Sequence, residues 1–254
     1  QKHAPYGDRS GEEIVELTKA GCETLFEAGA SLVVLACNTA SAVALRRLQS
    51  SWLAQFRKAY KRPVNVLGII VPTIEAATGL PWEHEAERRG EKIEKLDVIG
   101  VFSTVATARS RVYEIEIDKR RQDIAVFTEA CSGLADMIEQ GAAREDLSAK
   151  IKGHVDSLRI RIGRYPDRAI LGCTHYELVA DLFREHLPAG TPLIHQPVSK
   201  ALADYIERHP EYTIGDTGQR EFLTTGEPRT QSALIEAFWG APLTFAAAGE
   251  PEAA

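Results

Sequence analysis

The sequence predicts an α/β protein built on mainly parallel sheets, and three observations predict it. Short apolar runs recur along the chain, each rich in Val, Ile and Leu on both faces, as strands buried inside a parallel sheet require. Helical patterns fill the gaps between these runs, which is the alternation expected of β-α-β units. Finally, one plan appears twice, once in each half: a buried run that ends in a cysteine followed by a polar residue.

The runs, in order, are Ala30 to Ala36, Asn65 to Val71, Asp97 to Phe102, Ile124 to Phe127, Ala169 to Gly172 and Pro192 to Ile194. Ahead of the first lies a helical candidate, Gly11 to Ala28, whose Ile14, Leu17, Gly21 and Leu25 share one stripe. The stretch Pro81 to Lys95 is dense in charge and reads as a solvated linker or insertion beside a domain boundary. These divisions predict two similar, doubly wound domains with the active site in the cleft between them. The first takes residues 1–80 with a returning segment, 195–254, and the second takes residues 96–194. The Ala/Glu/Pro tail from Ala246 onward reads as frayed.

Composition narrows the function classes. The 254 residues are 44% apolar and 26% charged, an ordinary globular balance with material for a sizeable core. A net charge of −6 argues against a nucleic-acid or anionic-membrane binder. No stretch approaches the roughly 20 apolar residues that span a bilayer, and Gln1 to Ser10 lacks the apolar core of a signal peptide. A cytoplasmic location is therefore expected. The four cysteines, at 22, 37, 131 and 173, show no C-x-x-C spacing, so neither zinc nor a redox pair is suggested and reduced thiols are the default. With no nucleotide, phosphate, zinc-protease or serine-hydrolase motif, no cofactor and no metal are expected.

Open α/β sheets bind ligands beyond the carboxyl ends of their strands. Cys37 and Cys173 both fall there, each just ahead of a helical pattern. Thr174-His-Tyr-Glu177 reads as a capping box with Thr174 as N-cap. Asn38 or Thr39 can cap the helix through Ala40, Val43, Ala44 and Leu48. A thiol near the positive pole of a helix is shifted toward thiolate, and His175 stands two residues from Cys173. A free cysteine is commonly an inert packing residue. That reading suits Cys22, mid-helix, and Cys131, before Ser132-Gly133. It suits the matched pair less well.

Ala36-Cys37-Asn38-Thr39-Ala40-Ser41 and Leu171-Gly172-Cys173-Thr174-His175-Tyr176 resemble the two signature segments of glutamate racemases. Ala4-Pro5-Tyr6-Gly7 is similar to the substrate-loop motif of that family. Val98 to Thr104, Ala130-Cys131 with Glu139, and Phe222 to Gly226 follow its order. The resemblance implies a cofactor-independent enzyme that interconverts L- and D-glutamate and supplies D-glutamate for peptidoglycan synthesis. It implies that Cys37 takes the α-proton from D-glutamate and Cys173 from L-glutamate, with His175 assisting Cys173. Tyr6, Gly7, Asn38, Thr39, Thr174 and His175 would hold the substrate, with Thr104 and Glu139 as further candidates. A homodimer is compatible with it. The family opens with a strand ending in Asp-Ser-Gly, which is expected upstream of Gln1. Three rivals stand beside this reading: an aspartate or broad-specificity racemase, a thiol hydrolase using Cys173 and His175 that leaves Cys37 idle, and an inactive small-molecule-binding homologue.

Overall fold

A computed structural model describes residues 3–84, 96–195, 197–212, 220–239 and 241–248. The chain opens with α1 (Gly11–Glu27), β1 (Leu32–Leu35), α2 (Asn38–Val43), α3 (Leu45–Ser50), α4 (Trp52–Tyr60), β2 (Asn65–Gly68) and α5 (Ile70–Thr78). It continues with β3 (Asp97–Ser103), α6 (Val105–Ser110), α7 (Val112–Asp118), β4 (Ile124–Ala130), α8 (Leu134–Glu139) and α9 (Arg144–Ile162). There follow β5 (Arg168–Gly172), α10 (Thr174–Glu177), α11 (Ala180–His186), β6 (Leu193–Ile194), α12 (Val198–Arg208), β7 (Leu223–Thr224), α13 (Pro228–Trp239) and β8 (Ala246–Ala247).

All the strand pairs are parallel, in the orders β1-β2, β4-β3-β5-β6 and β7-β8. A strand falls on each of the six apolar runs, with β3, β4 and β5 extending one to three residues beyond theirs. The four-stranded sheet is covered on both faces, and the period-2 alternation of its central strands says why. Ile99, Val101 and Ile170 point to one side, where Ile70 and Ile74 of α5 and Tyr113 and Ile117 of α7 close over them. Phe102, Ala169 and Leu171 point to the other side, onto Leu158 of α9 and Phe183 of α11. The smaller sheet buries Val33 and Val66 against Cys22 and Phe26 of α1 and Leu53 of α4. Phe26, Trp52, Phe56 and Tyr60 stack beside that core, with centroids 4.7–6.2 Å apart between neighbours.

Three expectations need correction. The buried track of α1 is Ile14, Thr18, Cys22 and Phe26, whereas Gly21 and Leu25 are exposed. Thr18 can lie in the core because its hydroxyl donates to the Ile14 carbonyl at 2.6 Å, so a polar residue disguised the true stripe. The tail is not wholly frayed either, since Ala246 and Ala247 pair with Leu223 and Thr224. The helix caps differ as well, and those belong with the site. Of the charged stretch Pro81 to Lys95, only Pro81 to His84 lie within the described residues. There the Arg120 guanidinium stacks 3.9 Å from the Trp82 ring. Among the described residues, no helix is long and apolar enough to cross a membrane.

The buried thiols make stability fall at alkaline pH. Cys22 is 1% exposed, and burial, helped by the charge of Glu23, pushes its pKa up to about 12. Burial also raises the Cys131 thiol well above its ordinary value. An unfolded thiol titrates near about 8.5, so above that pH the unfolded chain loses protons that the folded chain keeps. This contribution to stability is complete below about pH 8.5 and is lost as pH rises toward the folded values. Thermal melts should show Tm falling between about pH 8.5 and 10.5, and Cys22→Ala should flatten that fall. An unchanged slope in Cys22→Ala would contradict the assignment.

Candidate active site

Cys37 sits two residues beyond β1 and Cys173 one residue beyond β5, each immediately ahead of a helix. Both are still extended, with φ, ψ of −84°, 122° and −151°, 135°. Each cysteine is therefore itself the N-cap, and the expected caps move one place inward. The Cys37 Sγ accepts from the Ala40 N–H at 3.5 Å. Asn38 and Thr39 lie buried in the first turn of α2. Thr174 is the exposed first residue of α10, and no capping box forms, because the Glu177 carboxylate pairs instead with His195 at 2.9 Å.

Sequence also determines how closely α2 approaches the sheet. The Ser41 hydroxyl donates to the Leu35 carbonyl at 3.0 Å and accepts from the Ile69 N–H at 3.3 Å, which pins α2 across the ends of β1 and β2. Gly68 makes that contact feasible: a Cβ there would stand 2.8 Å from Ser41 Oγ and 2.8 Å from Leu45 Cδ2.

Around the first thiol the predicted residues converge. The Tyr6 phenol is raised by burial and then by the charge of Cys37, so it stays a neutral donor near that sulfur. Gly7 lies against Thr104, where an added Cβ would come within 3.1 Å of the threonine Cβ, and the Gly7 carbonyl accepts from the Ala106 N–H at 2.9 Å. The hydroxyls of Thr39 and Thr104 are 2.9 Å apart. Thr107 completes the cluster, at 3.3 Å from Thr39 and 3.1 Å from Thr104. Asn38 accepts from the Tyr113 hydroxyl at 2.9 Å.

The second thiol has a different setting. Cys173 is 7% exposed, and burial pushes its pKa up to about 12, against the partial relief of the His175 and Tyr176 backbone N–H groups. The charge of Cys37 raises it further. The expectation of a thiolate favoured by the helix start is overturned for Cys173: α10 has only four residues, and desolvation outweighs it. His175 Nδ1 stands 3.8 Å from Cys173 Sγ, and its Nε2 stands 3.8 Å from the Glu139 carboxylate. Glu139 ends α8 facing this pair rather than open solvent, with its side chain 22% exposed.

Beside Gly7 and Thr104 lies a cavity of about 20 Å³, bordered also by Asp8, Cys131 and Asp136. That is room for about one water molecule. Cys131 borders it while remaining 2% exposed, in keeping with a packing role. A larger groove, about 440 Å³, runs over the outer surface between α9 and α11 and holds none of the predicted site residues.

All ten predicted positions thus fall around one region except Thr174, whose side chain stands exposed beside it. Two residues there were not anticipated. Thr107 follows Thr104 by three positions at a helix start, a spacing that puts both hydroxyls on one face. Tyr113 carried no sequence signal.

Residues 4–201 match the family described as Asp/Glu/hydantoin racemase. The chain belongs to that family. It is 72% identical over 247 residues to a glutamate racemase of Phenylobacterium zucineum, covering 96% of this chain and 87% of the relative. A glutamate racemase of Caulobacter sp. strain K31 is 71% identical over 250 residues, covering 98% and 88%. Among solved structures, the glutamate racemase isoform RacE1 of Bacillus anthracis superposes with a TM-score of 0.76 at 25% identity, covering 99% of this chain and 86% of that one. The two-domain racemase fold of that structure agrees with the parallel sheets seen here.

Proposed function

We infer that the chain interconverts L- and D-glutamate and that Cys37 and Cys173 perform the two proton transfers from opposite faces of the α-carbon. The activity rests on family membership and on the relatives above 70% identity. The single observation supporting the two-thiol route is the pair of cysteines, each the N-cap of a helix just beyond the carboxyl end of a parallel strand.

Racemisation breaks the Cα–H bond on one face and forms a new one on the other. With D-glutamate, the Cys37 thiolate takes the α-proton and the Cys173 thiol gives its own to the opposite face of the planar carbanion. With L-glutamate the roles reverse: the Cys173 thiolate takes the α-proton, and Cys37, having taken a proton from water beforehand, gives it to the opposite face. Cys173 rests as a thiol, ready to act as acid. To act as base it must first give up its proton, and His175 Nδ1 is the acceptor in reach, oriented by Glu139. The desolvation that holds the Cys173 proton also makes its thiolate a stronger base once formed. The Thr39, Thr104 and Thr107 hydroxyls, now bonded to one another, can turn to a substrate carboxylate, with Tyr6, Gly7 and Asn38 completing its surroundings. A buried zwitterion with an extra carboxylate demands such partners.

Asn65 Nδ2 donates to the Tyr205 hydroxyl at 2.7 Å, which supports assigning the segment from residue 195 to the first domain with residues 1–80. Residues 96–194 then form the second, and α5 packs into its core.

The direct test follows the α-proton of L- and D-glutamate in heavy water by NMR, with aspartate in parallel. Exchange and inversion of both glutamate enantiomers, without exchange of aspartate, are expected. Exchange with aspartate alone would move the assignment to its nearest rival, and no exchange with either would remove it.

A further inference from the structure

Tyr113 has no part in the thiol chemistry, yet its hydroxyl ends beside the site. The residue lies on α7, 1% exposed, with its ring among Ile74, Ile99, Val101 and Ile117. Packing alone would be served by phenylalanine, since a hydroxyl at this depth is unfavourable unless it is hydrogen-bonded. It is hydrogen-bonded to the residue that follows Cys37: the phenol donates to Asn38 Oδ1 at 2.9 Å. Asn38 itself is 2% exposed.

A primary amide has two orientations, related by a half-turn, that exchange its acceptor for its two donors. A donor aimed at Oδ1 selects one of them. The oxygen is held toward α7, and the NH2 group is turned to the other side. Burial raises the phenol above its usual range, and the charge of Cys173 raises it further, so the hydroxyl remains a donor throughout the working pH range.

We propose that Tyr113 is a positioning residue whose hydroxyl fixes the Asn38 amide so that its NH2 faces the substrate, setting the affinity for glutamate rather than the rate of proton transfer. This rests on the reading of Asn38 as a substrate-binding residue. The contact this assigns is to the side-chain carboxylate, which gains none of the charge developing at the α-carbon; such a contact binds ground state and transition state alike, and uniform binding changes KM while leaving kcat.

Tyr113→Phe keeps the ring and removes one oxygen. Losing one neutral hydrogen bond should raise KM about 5- to 10-fold for both enantiomers. The change in kcat should stay within about twofold, as loss of uniform binding requires. Titration calorimetry with D-glutamate should show the same loss, and this reads binding whether or not turnover occurs. In an Asn38→Ala background, Tyr113→Phe should add nothing, because the two residues act as one unit. An unchanged KM, a fall in kcat at constant KM, or full additivity with Asn38→Ala would each overturn the proposal. If Asn38→Ala does not fold, the KM and calorimetric results of Tyr113→Phe decide alone. A wild-type protein that binds glutamate without racemising it would remove the functional reading and leave this inference testable by calorimetry.

Discussion

Cys37→Ala and Cys173→Ala should each lower kcat/KM by about 10³-fold or more in both directions, since in the proposed two-thiol route each deletes the proton-transfer group of one face of the α-carbon. The two directions must fall together, because enantiomers have equal free energy in water and the ratio of the two kcat/KM values is fixed by that equality. The folds should survive. Cys37 loses only a weak sulfur cap to the Ala40 N–H at 3.5 Å, and helix caps of any kind are worth about 0.5–2 kcal/mol. Cys173 makes no side-chain cap bond, and removing its buried sulfur leaves a small void that costs on the order of 1 kcal/mol. Polarimetry on both enantiomers, with circular dichroism melts as the control, checks this. Racemisation at a wild-type rate by either folded alanine variant would exclude the two-thiol mechanism.

His175→Asn should lower kcat/KM by about 10²-fold, again equally in both directions. The asymmetry belongs to the isotope effect. If His175 serves Cys173, then its loss raises the barrier on the L-face alone. Abstraction from 2-deuterio-L-glutamate then becomes more rate-limiting and its isotope effect rises. Abstraction of deuterium from the D-enantiomer by Cys37 becomes a reversible step before the slow one, and that isotope effect shrinks. Glu139→Gln should move both effects in the same direction by less, because Glu139 acts on His175 from 3.8 Å and does not touch the thiol. Equal changes in the two isotope effects would separate His175 from Cys173 and assign it to substrate binding.

Much of the second sheet was legible because its strands are buried on both faces. Asp97–Ser103 is buried at six of its seven positions, and such a run can hardly be anything but a central strand. The two cysteines were legible for a related reason: a strand end followed at once by a helix start leaves a recognisable junction, and the carboxyl ends of parallel strands are where ligands bind. The local caps were less legible. A capping box is a pattern of residue types, and whether Thr174 or Cys173 is the last extended residue depends on where β5 stops. The same limit applies to α1, where Thr18 and Cys22 form the buried track only because of what lies opposite them.

Local periodicity and residue type are enough to give the alternation of strands and helices, the parallel class of the sheets and the two thiols at strand ends. Only the tertiary structure decided that Cys173 is held as a thiol, that Thr107 joins Thr39 and Thr104, and that Tyr113 reaches Asn38 across 75 residues. A side chain's desolvation and its hydrogen-bond partners are set by chain segments distant in sequence. No pattern within a helix or strand contains that information; the packing of α2 against α6, the reach of Tyr113 from α7 and the core around Cys173 supply it.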